Sequence, residues 1–424
     1  MKSLIELSED IDKCVRCGAC RSVCPVFKVV GREGASTRGK MALIQARRNG
    51  ALELTETYLR AIKDCTLCGA CQSNCPNDVN TTAIIAAARA ESIDKLGMPL
   101  AASLVFKNLL EPNTLMDRAF KWATRFQGLV FRDSPVENGL LARFTLPFVG
   151  MGKGRLLPQV VKTFFLDMPE AKAASGGKGK RGTGPPRVAF YAGCGVNFLM
   201  PDIGIKSLEV IKRAGAEAVV PPGQVCCGMP AFSTGDVFTA REMARKNLEV
   251  FEAYELDFIT TACATCGYGL KTLMRELLGD DPALKGRVEA FTARVRDINE
   301  LLVNELKLKG GENRLGAKTV TYHDPCHLGR AQGVREEPRE LIAGGRGVTL
   351  KEMKNPCACC GLGGGLSLSN YELSVEIARK KAENIRASGA DVVVTACPGC
   401  MVQLRDGLHR FGVDAKVAHV VELL

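Results

Sequence analysis

Cysteine spacing constrains this chain more than any other feature of its sequence. The pattern C-x2-C-x2-C-x3-C-P occurs twice, and each cysteine of the second copy lies 51 positions after its counterpart in the first. Three thiolates on one tight loop can reach three metal ions of a single centre, while the turn directs backbone N–H groups at the sulfurs. The cysteines of this shorter repeat are Cys14, Cys17, Cys20, Cys24, Cys65, Cys68, Cys71 and Cys75.

The duplicated spacing favours iron–sulfur clusters over zinc. Paired zinc knuckles are the alternative, but zinc requires four ligands and no fixed third C-x2-C step. In two-cluster ferredoxins the fourth cysteine of each run reaches across to the other cluster. We therefore predict two [4Fe–4S] cubane clusters. The first is assigned to Cys14, Cys17, Cys20 and Cys75, and the second to Cys65, Cys68, Cys71 and Cys24.

A longer repeat fills the C-terminal half of the chain. A single cysteine, a Cys-Cys-Gly triplet and a C-x2-C pair occur twice, at offsets of 132, 133 and 134. The intervening segments alternate strand-like and helix-like patterns, which predicts parallel sheets with the cysteines at the carboxyl ends of strands. These cysteines are Cys194, Cys226, Cys227, Cys263 and Cys266, and then Cys326, Cys359, Cys360, Cys397 and Cys400.

Composition limits the other classes of function. The N-terminal stretch "MKSLIELSEDIDKC" lacks the apolar core of a signal peptide, so we expect reduced cysteines and a cytoplasmic protein, at most peripheral at the inner face of a membrane. No uninterrupted apolar run of membrane-spanning length occurs, so no transmembrane segment is expected. The net charge of +11 counts cysteines as neutral. Because each loaded cubane would add about −2, nucleic acid is not an expected partner.

These patterns predict an α+β multidomain fold, in which a helical two-cluster ferredoxin domain precedes two repeated α/β domains. We expect the ferredoxin unit at residues 1–97, a helical connector with a Gly/Lys-rich linker at 98–186, and the two repeats at 187–310 and 311–424. Within the ferredoxin unit, one helix is predicted to begin at Ser36 or Thr37 and end at Gly50, and another to begin at Asn80 or Thr81 and end at Gly97.

This arrangement resembles a known family. A helical ferredoxin domain followed by two CCG domains is similar to the catalytic subunits of heterodisulfide reductases, and to the iron–sulfur subunits of glycolate and D-lactate oxidases and of anaerobic glycerol-3-phosphate dehydrogenase. In the reductases, five cysteines of each CCG domain hold a non-cubane [4Fe–4S] cluster. The resemblance implies one further [4Fe–4S] cluster for each half of the longer repeat, with a cubane or an empty dithiol site as the alternatives.

The resemblance also implies a function. The chain would be the iron–sulfur electron-transfer subunit of a flavin-linked glycolate or D-lactate dehydrogenase. It would take electrons from a partner FAD subunit toward a quinone, an electron-transfer flavoprotein or a membrane redox partner. The alternative is that the CCG clusters themselves cleave a disulfide, as in heterodisulfide reductases. A zinc-loaded scaffold that binds nucleic acid is a third class, which metal analysis would eliminate.

Two kinds of residue near the motifs have alternative interpretations. Arg38 and Lys40 either raise the potential of a nearby cluster or form a solvated basic helix start. For His323 and His327, which flank Cys326, hydrogen bonding near a cluster or packing at a strand end is favoured over a metal role.

The stretch "NPCACCGLGGG" carries one cysteine more than the repeat requires. Cys357 aligns with Gln224 of the first half, so we predict that it is not a cluster ligand. The glycines at 361–365 follow a cysteine pair rather than a simple strand. They therefore favour close backbone packing on a cluster over a nucleotide-binding loop.

Overall fold

The computed structural model describes residues 2–98, 122, 124–125, 128, 131–134, 139–142, 154–176 and 184–424. Residues 2–98 form helices and turns, as predicted for the ferredoxin unit. Ser36 Oγ accepts a hydrogen bond from Gly39 N at 3.0 Å, and Asn80 Oδ1 accepts one from Ala83 N at 3.2 Å, so both predicted helix starts are confirmed. The helices are Ser8–Asp12, Ala19–Val23, Pro25–Val30, Thr37–Arg48, Glu56–Lys63, Ala70–Ser73 and Thr81–Leu96, with a 3₁₀ turn at Glu33–Ala35.

The connector is predicted to be helical, and this prediction is wrong because three segments of it are strands. These strands, β1 (Phe131–Asp133), β2 (Gly139–Ala142) and β3 (Leu156–Pro158), form an antiparallel sheet. Leu156 N also donates a hydrogen bond of 2.8 Å to Asp406 Oδ1, so contacts with the C-terminal half outweigh local helix preference. Residues 177–183 of the predicted linker lie outside the described residues. The connector also contains a 3₁₀ turn at Phe165–Asp167 and the helix Pro169–Ala173.

Each half of the longer repeat contains a four-stranded sheet in which every pairing is parallel. The predicted fold class is therefore confirmed, whereas the domain boundaries stay a prediction. The first sheet comprises β4 (Arg187–Phe190), β5 (Glu217–Val219), β6 (Phe258–Thr261) and β7 (Val295–Asp297), and the second comprises β8 (Thr319–His323), β9 (Thr349–Leu350), β10 (Val392–Thr395) and β11 (Lys416–His419). The strands lie in the orders β5-β4-β6-β7 and β9-β8-β10-β11.

Helices connect these strands and cover both faces of each sheet, as parallel connections require. In the first half, which we call the first CCG unit, they are Gly193–Phe198, Pro201–Arg213, Met229–Thr234, Val237–Glu252, Ala264–Tyr268, Met274–Leu278, Lys285–Ala293 and Ile298–Glu300. In the second CCG unit they are Glu336–Ala343, Leu366–Ser369, Tyr371–Ser388, Pro398–Arg410 and Val420–Leu423. Turns of π-helix occur at Gly269–Leu273, Leu301–Glu305 and Cys326–Arg330.

The two CCG units share one hydrophobic core. Phe190 on β4 and Val394 on β10 are both fully buried and belong to the same apolar cluster. A backbone hydrogen bond of 3.0 Å from Ala264 N to Ala396 O joins the segments that follow β6 and β10. The carboxyl ends of the two sheets therefore face each other. No helix in the described part of the chain is long and apolar enough to cross a membrane.

The buried side chain of Arg89 links the ferredoxin unit to both CCG units through hydrogen bonds. The side chain is 1% exposed, and its guanidinium donates hydrogen bonds to carbonyl oxygens of all three units. The distance is 2.7 Å to Cys65 O, 2.5 Å to Ser233 O in the first CCG unit and 3.1 Å to Gly364 O in the second. A guanidinium can satisfy this many carbonyls because its five N–H groups form a fixed planar fork.

Within the glycine run at 361–365, the glycines at 363 and 364 pack closely against the backbone of the ferredoxin unit, whereas packing of the run on a cluster stays a prediction. A Cβ on Gly363 would lie 2.5 Å from the carbonyl oxygen of Thr66, and Gly364 has a φ of +64° beside the Cys65 carbonyl. Only glycine allows such an approach at a positive φ. The run therefore brings the second CCG unit against the loop that carries the second ferredoxin motif.

Candidate functional site

The structure places the eight ferredoxin cysteines around two cavities, with the exchange of fourth cysteines that the sequence predicts. Their assignment as cluster ligands stays a prediction. The first cavity is lined by Cys14, Cys17, Cys20 and Cys75, and the second by Cys24, Cys65 and Cys68. Cys71 lines both cavities, so the two sites are direct neighbours.

The two motifs share an unusual backbone. Arg16 and Leu67 have positive φ values of 56° and 50°, and Gly18 and Gly69 have values of 89° and 69°. Each pair is related by the same 51-residue offset as the cysteines. A non-glycine residue at positive φ is uncommon, so the loop is held in this shape for a local reason. The turn directs amides at sulfur, since Leu67 N donates to Cys65 Sγ at 3.4 Å.

The two basic residues predicted near the clusters have different surroundings. Arg38 lines the first cavity, but Glu33 Oε1 and Oε2 accept hydrogen bonds from its guanidinium at 2.6 and 2.9 Å. This ion pair lowers the pKa of Glu33 to about 2. Lys40 lines the second cavity and is 2% exposed, and it donates to Ala35 O at 2.9 Å. A buried cation therefore lies beside the second site, whereas the cation at the first is balanced by a carboxylate.

The first CCG unit gathers its five predicted cysteines. Cys194 is half-buried beyond β4, and the other four are buried. Hydrogen bonding with Cys226 lowers the pKa of Cys194, and bonding with Cys226 and Cys266 lowers that of Cys227. Cys263, which immediately precedes the helix Ala264–Tyr268, also bonds with Cys266. The five sulfurs thus form one connected group.

The second CCG unit gathers the corresponding group. Cys360 Sγ lies 3.6 Å from Cys400 Sγ, and hydrogen bonding with Cys360 raises the pKa of Cys359 to about 12. Burial of its sulfur, followed by the effect of Cys359, raises the pKa of Cys326 well above its ordinary value. Cys397 immediately precedes the helix Pro398–Arg410, and hydrogen bonding with Cys263 and then with Cys400 lowers its pKa.

The sulfur group of the second CCG unit contacts both the second ferredoxin site and the sulfur group of the first CCG unit. Cys359 lies against Cys68 of the second ferredoxin site and raises its pKa well above the ordinary range. Cys263 of the first CCG unit lies against Cys397 of the second. Thr265 Oγ1 lies 3.6 Å from Cys397 Sγ and adds a polar contact at this second junction.

The two histidines around Cys326 have different roles. His327 Nδ1 lies 3.2 Å from Thr265 Oγ1, and its ring stacks on Tyr268 with centroids 4.9 Å apart. His323 is 1% exposed and has no hydrogen-bond partner at either ring nitrogen among the described residues. One of these nitrogens and the sulfurs of Cys360 and Cys400 all lie within 4.8 Å of one another. The second site therefore contains a polar group without a protein partner, as expected where a metal centre belongs.

The leftover cysteine lies apart from the buried sulfurs. Cys357 is exposed, whereas Cys359 and Cys360 are buried. Its carbonyl oxygen accepts a hydrogen bond from the Arg330 guanidinium. Its backbone therefore has a structural contact, while its thiol lies at the surface.

The donor set fits iron–sulfur clusters. Burial raises the pKa of Cys71 to about 12, and hydrogen bonding with Cys360 raises that of Cys359 to about 12, so these two thiols would hold protons in the absence of metal. A coordinating metal replaces those protons, because a metal-bound thiol is deprotonated. Soft thiolates are also the ligands that such clusters take.

A cleft of about 440 Å³ opens where the three units meet. The cleft is lined by two predicted ligands, Cys68 of the ferredoxin unit and Cys326 of the second CCG unit. The stacked rings of Tyr268 and His327 also line it. Glu276 lies on its wall, and burial raises the pKa of this carboxyl. No sequence pattern indicates this cleft, because its walls come from segments that are far apart in the chain.

Comparison with known proteins follows the same division of the chain. A family model described as CCG, cysteine-rich domain, matches residues 188–271 and 320–405, and one described as a 4Fe-4S dicluster domain matches residues 10–79. The chain is 30% identical to a probable glycolate oxidase iron-sulfur subunit of Bacillus subtilis, over 97% of this chain and 92% of that protein.

Two archaeal proteins are also similar. One subunit of the fumarate reductase (CoM/CoB) of Methanothermobacter marburgensis is 30% identical over 97% of this chain and 71% of that protein. One subunit of the dihydromethanophenazine:CoB–CoM heterodisulfide reductase of Methanosarcina acetivorans is 26% identical over 98% of this chain and 93% of that protein. These relatives are subunits of oxidoreductases. The chain therefore belongs to the CCG-domain iron–sulfur subunit family and carries a 4Fe–4S dicluster domain.

Proposed function

We propose that this chain is the iron–sulfur electron-transfer subunit of a flavin-linked 2-hydroxy-acid dehydrogenase that oxidises glycolate or D-lactate. The proposal rests on one observation, that the four sulfur groups lie in series. Cys71 lines both ferredoxin cavities, Cys359 lies against Cys68, and Cys263 lies against Cys397. The similarity to a probable glycolate oxidase iron-sulfur subunit supports the class of substrate.

The proposed cofactors are the two cubanes of the ferredoxin unit and one further [4Fe–4S] cluster, non-cubane by resemblance, in each CCG unit. When bound, such clusters accept and release electrons one at a time. Eight of the ten proposed CCG cysteines are buried, which limits the access of bulk water to these two sites. Amides such as Leu67 N donate to sulfur and favour its charged form. The proposed CCG ligands are Cys194, Cys226, Cys227, Cys263 and Cys266, and then Cys326, Cys359, Cys360, Cys397 and Cys400.

The partner in this proposal is an FAD subunit that oxidises the hydroxy acid. A hydride arrives there as an electron pair, and this chain divides the pair and passes single electrons to a quinone, an electron-transfer flavoprotein or a membrane redox protein. We place the complex in the cytoplasm, in contact with the inner face of the membrane where its acceptor is a quinone.

Metal analysis tests the cofactor set first. The anaerobically purified chain should be brown and contain about sixteen irons, four for each of four clusters. A colourless protein that contains zinc would contradict the proposal. If the chain then co-purifies with an FAD protein, glycolate or D-lactate should reduce its clusters.

The second candidate function is cleavage of a disulfide at a CCG site, and the cleft is the observation that favours it. The cleft admits a small molecule to Cys326 of the second CCG unit and to Cys68 of the adjoining ferredoxin site. Electrons from the ferredoxin unit would therefore reach a bound disulfide without a further protein. The Glu276 carboxyl, whose pKa burial raises, lies on the same wall and is suited to hold the proton that a departing thiolate takes up.

Turnover by the chain alone distinguishes the two functions. With reduced viologen as donor, a heterodisulfide reductase should release thiols from CoM–CoB heterodisulfide without any partner. Thiol release would support the second function, whereas no release from a chain with full iron content supports the carrier function.

A further inference from the structure

The two CCG units carry different residues at one buried position. The helix Val237–Glu252 contains the stretch ARKN at 244–247, and the helix Tyr371–Ser388 contains ARKK at 378–381. Asn247 therefore corresponds to Lys381, and the two side chains are 0% and 1% exposed. A neutral amide in the first unit is replaced by a cation in the second.

Both side chains hold the loop that leads into the adjacent cysteines. Asn247 Nδ2 donates to Cys226 O at 3.0 Å. Lys381 Nζ donates to Asn355 O at 3.0 Å and to Pro356 O at 2.9 Å. In both units a buried side chain thus donates hydrogen bonds to backbone carbonyls near the adjacent cysteines. In the first unit a neutral amide makes this contact. The loop contact alone does not account for a positive charge in the second.

Lys381 has no carboxylate partner among the residues that the structure describes. The groups that favour its ammonium form are cysteine sulfurs, of which Cys360 has the largest effect, followed by the surface cysteine Cys357 and then by Cys359 and Cys400. Burial lowers the pKa of Lys381 to about 8, so it remains mostly charged at neutral pH. Because buried charges are almost always paired, the anion that Lys381 faces is the sulfur group of the second CCG site.

A second cation strengthens this asymmetry. Arg330 donates to Cys68 O at 3.3 Å and to the Cys357 carbonyl, and its guanidinium therefore lies at the edge of the second sulfur group. The residue at the corresponding place in the first unit, 132 positions earlier, is Phe198. The second unit thus has two cations, Lys381 and Arg330, at positions where the first unit has the neutral residues Asn247 and Phe198.

We propose that Lys381 is a fixed counter-cation that makes the second CCG site more oxidising than the first, so that electrons collect in the second unit. A buried positive charge stabilises an added electron strongly, because the interior screens it poorly. Electrons held there would lie beside Cys326, which faces the cleft. The inference rests on the proposed function in one respect, since it requires a cluster in each CCG unit.

One buried carboxyl sets the conditions of the test. Asp297 lies toward Cys397, and burial raises its pKa to about 7. At pH 6 this carboxyl is protonated to a greater extent than at neutral pH, so the wild type and all variants are compared at this one pH.

The experiment is an EPR-monitored redox titration of the full chain, purified anaerobically with its clusters. Lys381→Asn installs the residue of the first unit, and Lys381→Arg keeps the charge. Lys380→Asn is the matched control, because Lys380 is the exposed neighbour and its ammonium donates to Lys28 O, at 3.1 Å, away from the sulfurs. Cys194→Ser removes the first-unit signal and thereby assigns it.

In Lys381→Asn, we expect the reduced-to-oxidised ratio of the second-unit cluster to fall about tenfold at a fixed potential, which is 59 mV for a one-electron couple. Lys381→Arg and Lys380→Asn should leave the ratio near its wild-type value. Unshifted potentials with full iron content would overturn the inference, as would an equal shift in Lys381→Arg. An iron content of about eight in the wild-type chain would instead contradict the proposed cofactor set.

Discussion

Replacing Arg89 by methionine should loosen the ferredoxin unit from both CCG units. The guanidinium is buried and donates to the carbonyls of Ser233 and Gly364, one in each CCG unit. It also donates to carbonyls of its own unit at residues 62, 63 and 65. Methionine has a similar length and fills the space, but it removes the donor of each of these hydrogen bonds, including both bonds between units.

The two bonds between units set the magnitude of the effect. A hydrogen bond from a charged donor contributes about 1.5–3 kcal/mol, so the loss of both should lower the free energy of opening by about 3–6 kcal/mol. Because about 1.4 kcal/mol corresponds to a factor of ten, amide protection at the junction should fall by about 10²- to 10⁴-fold.

Hydrogen exchange on the cluster-loaded chain measures this loss directly. The amide of Leu366, which donates to Gly363 O at 3.1 Å, reports on the junction. Arg89→Lys keeps the charge but offers fewer donors and should give an intermediate loss, whereas Arg60→Met removes an exposed arginine and should have no effect. If amide protection at the junction is unchanged in Arg89→Met, the hydrogen bonds of Arg89 do not hold the units together.

Three further changes test other parts of the site. Gly363→Ala places a Cβ 2.5 Å from a backbone carbonyl of the ferredoxin unit and should lower the melting temperature, while Gly286→Ala, which has open space, should not; equal melting temperatures would contradict the packing argument. Cys357→Ser should leave the iron content unchanged, and a loss of about four irons would make Cys357 a ligand. Glu33→Gln removes the carboxylate that balances Arg38 and should raise the reduction potential of the first ferredoxin cluster in an EPR titration; an unchanged potential would contradict this balance.

The sequence predicts the CCG sheets well because their strands and cysteines recur together. The stretch "DVVVTA" becomes β10 and Cys397 follows its end, as "DFITTA" becomes β6 before Cys263. A buried parallel strand is a short apolar run between helices, so its pattern is local and readable. The exchange of Cys24 and Cys75 between the two ferredoxin cavities is likewise predictable from spacing alone.

The connector and the junctions are not predictable in this way. Leu140 and Leu156 are apolar residues whose strand pairing depends on contacts with distant segments, including Asp406. Arg89 lies in a helix that is otherwise rich in buried alanine, and nothing local indicates that it bonds to three units. Both the strands of the connector and the hydrogen bonds of Arg89 depend on contacts with distant segments. The residue pattern of one segment does not reveal such contacts.

The asymmetry of the CCG units lies between these extremes. In the sequence, Lys381 and Asn247 are the last residues of the corresponding stretches ARKK and ARKN. Their importance emerges only once the structure shows both side chains buried against the loops that carry the adjacent cysteines. A position where two internal repeats differ in charge is therefore a useful signal when that position is buried.

The most direct test of the carrier function is anaerobic stopped-flow spectroscopy of the cluster-loaded chain mixed with its FAD partner. On addition of glycolate or D-lactate, we expect flavin reduction to be followed by bleaching of the iron–sulfur absorbance, and a quinone then to restore this absorbance. Reduction of the flavin without any bleaching of the clusters, in a chain that contains about sixteen irons, would contradict the proposed function.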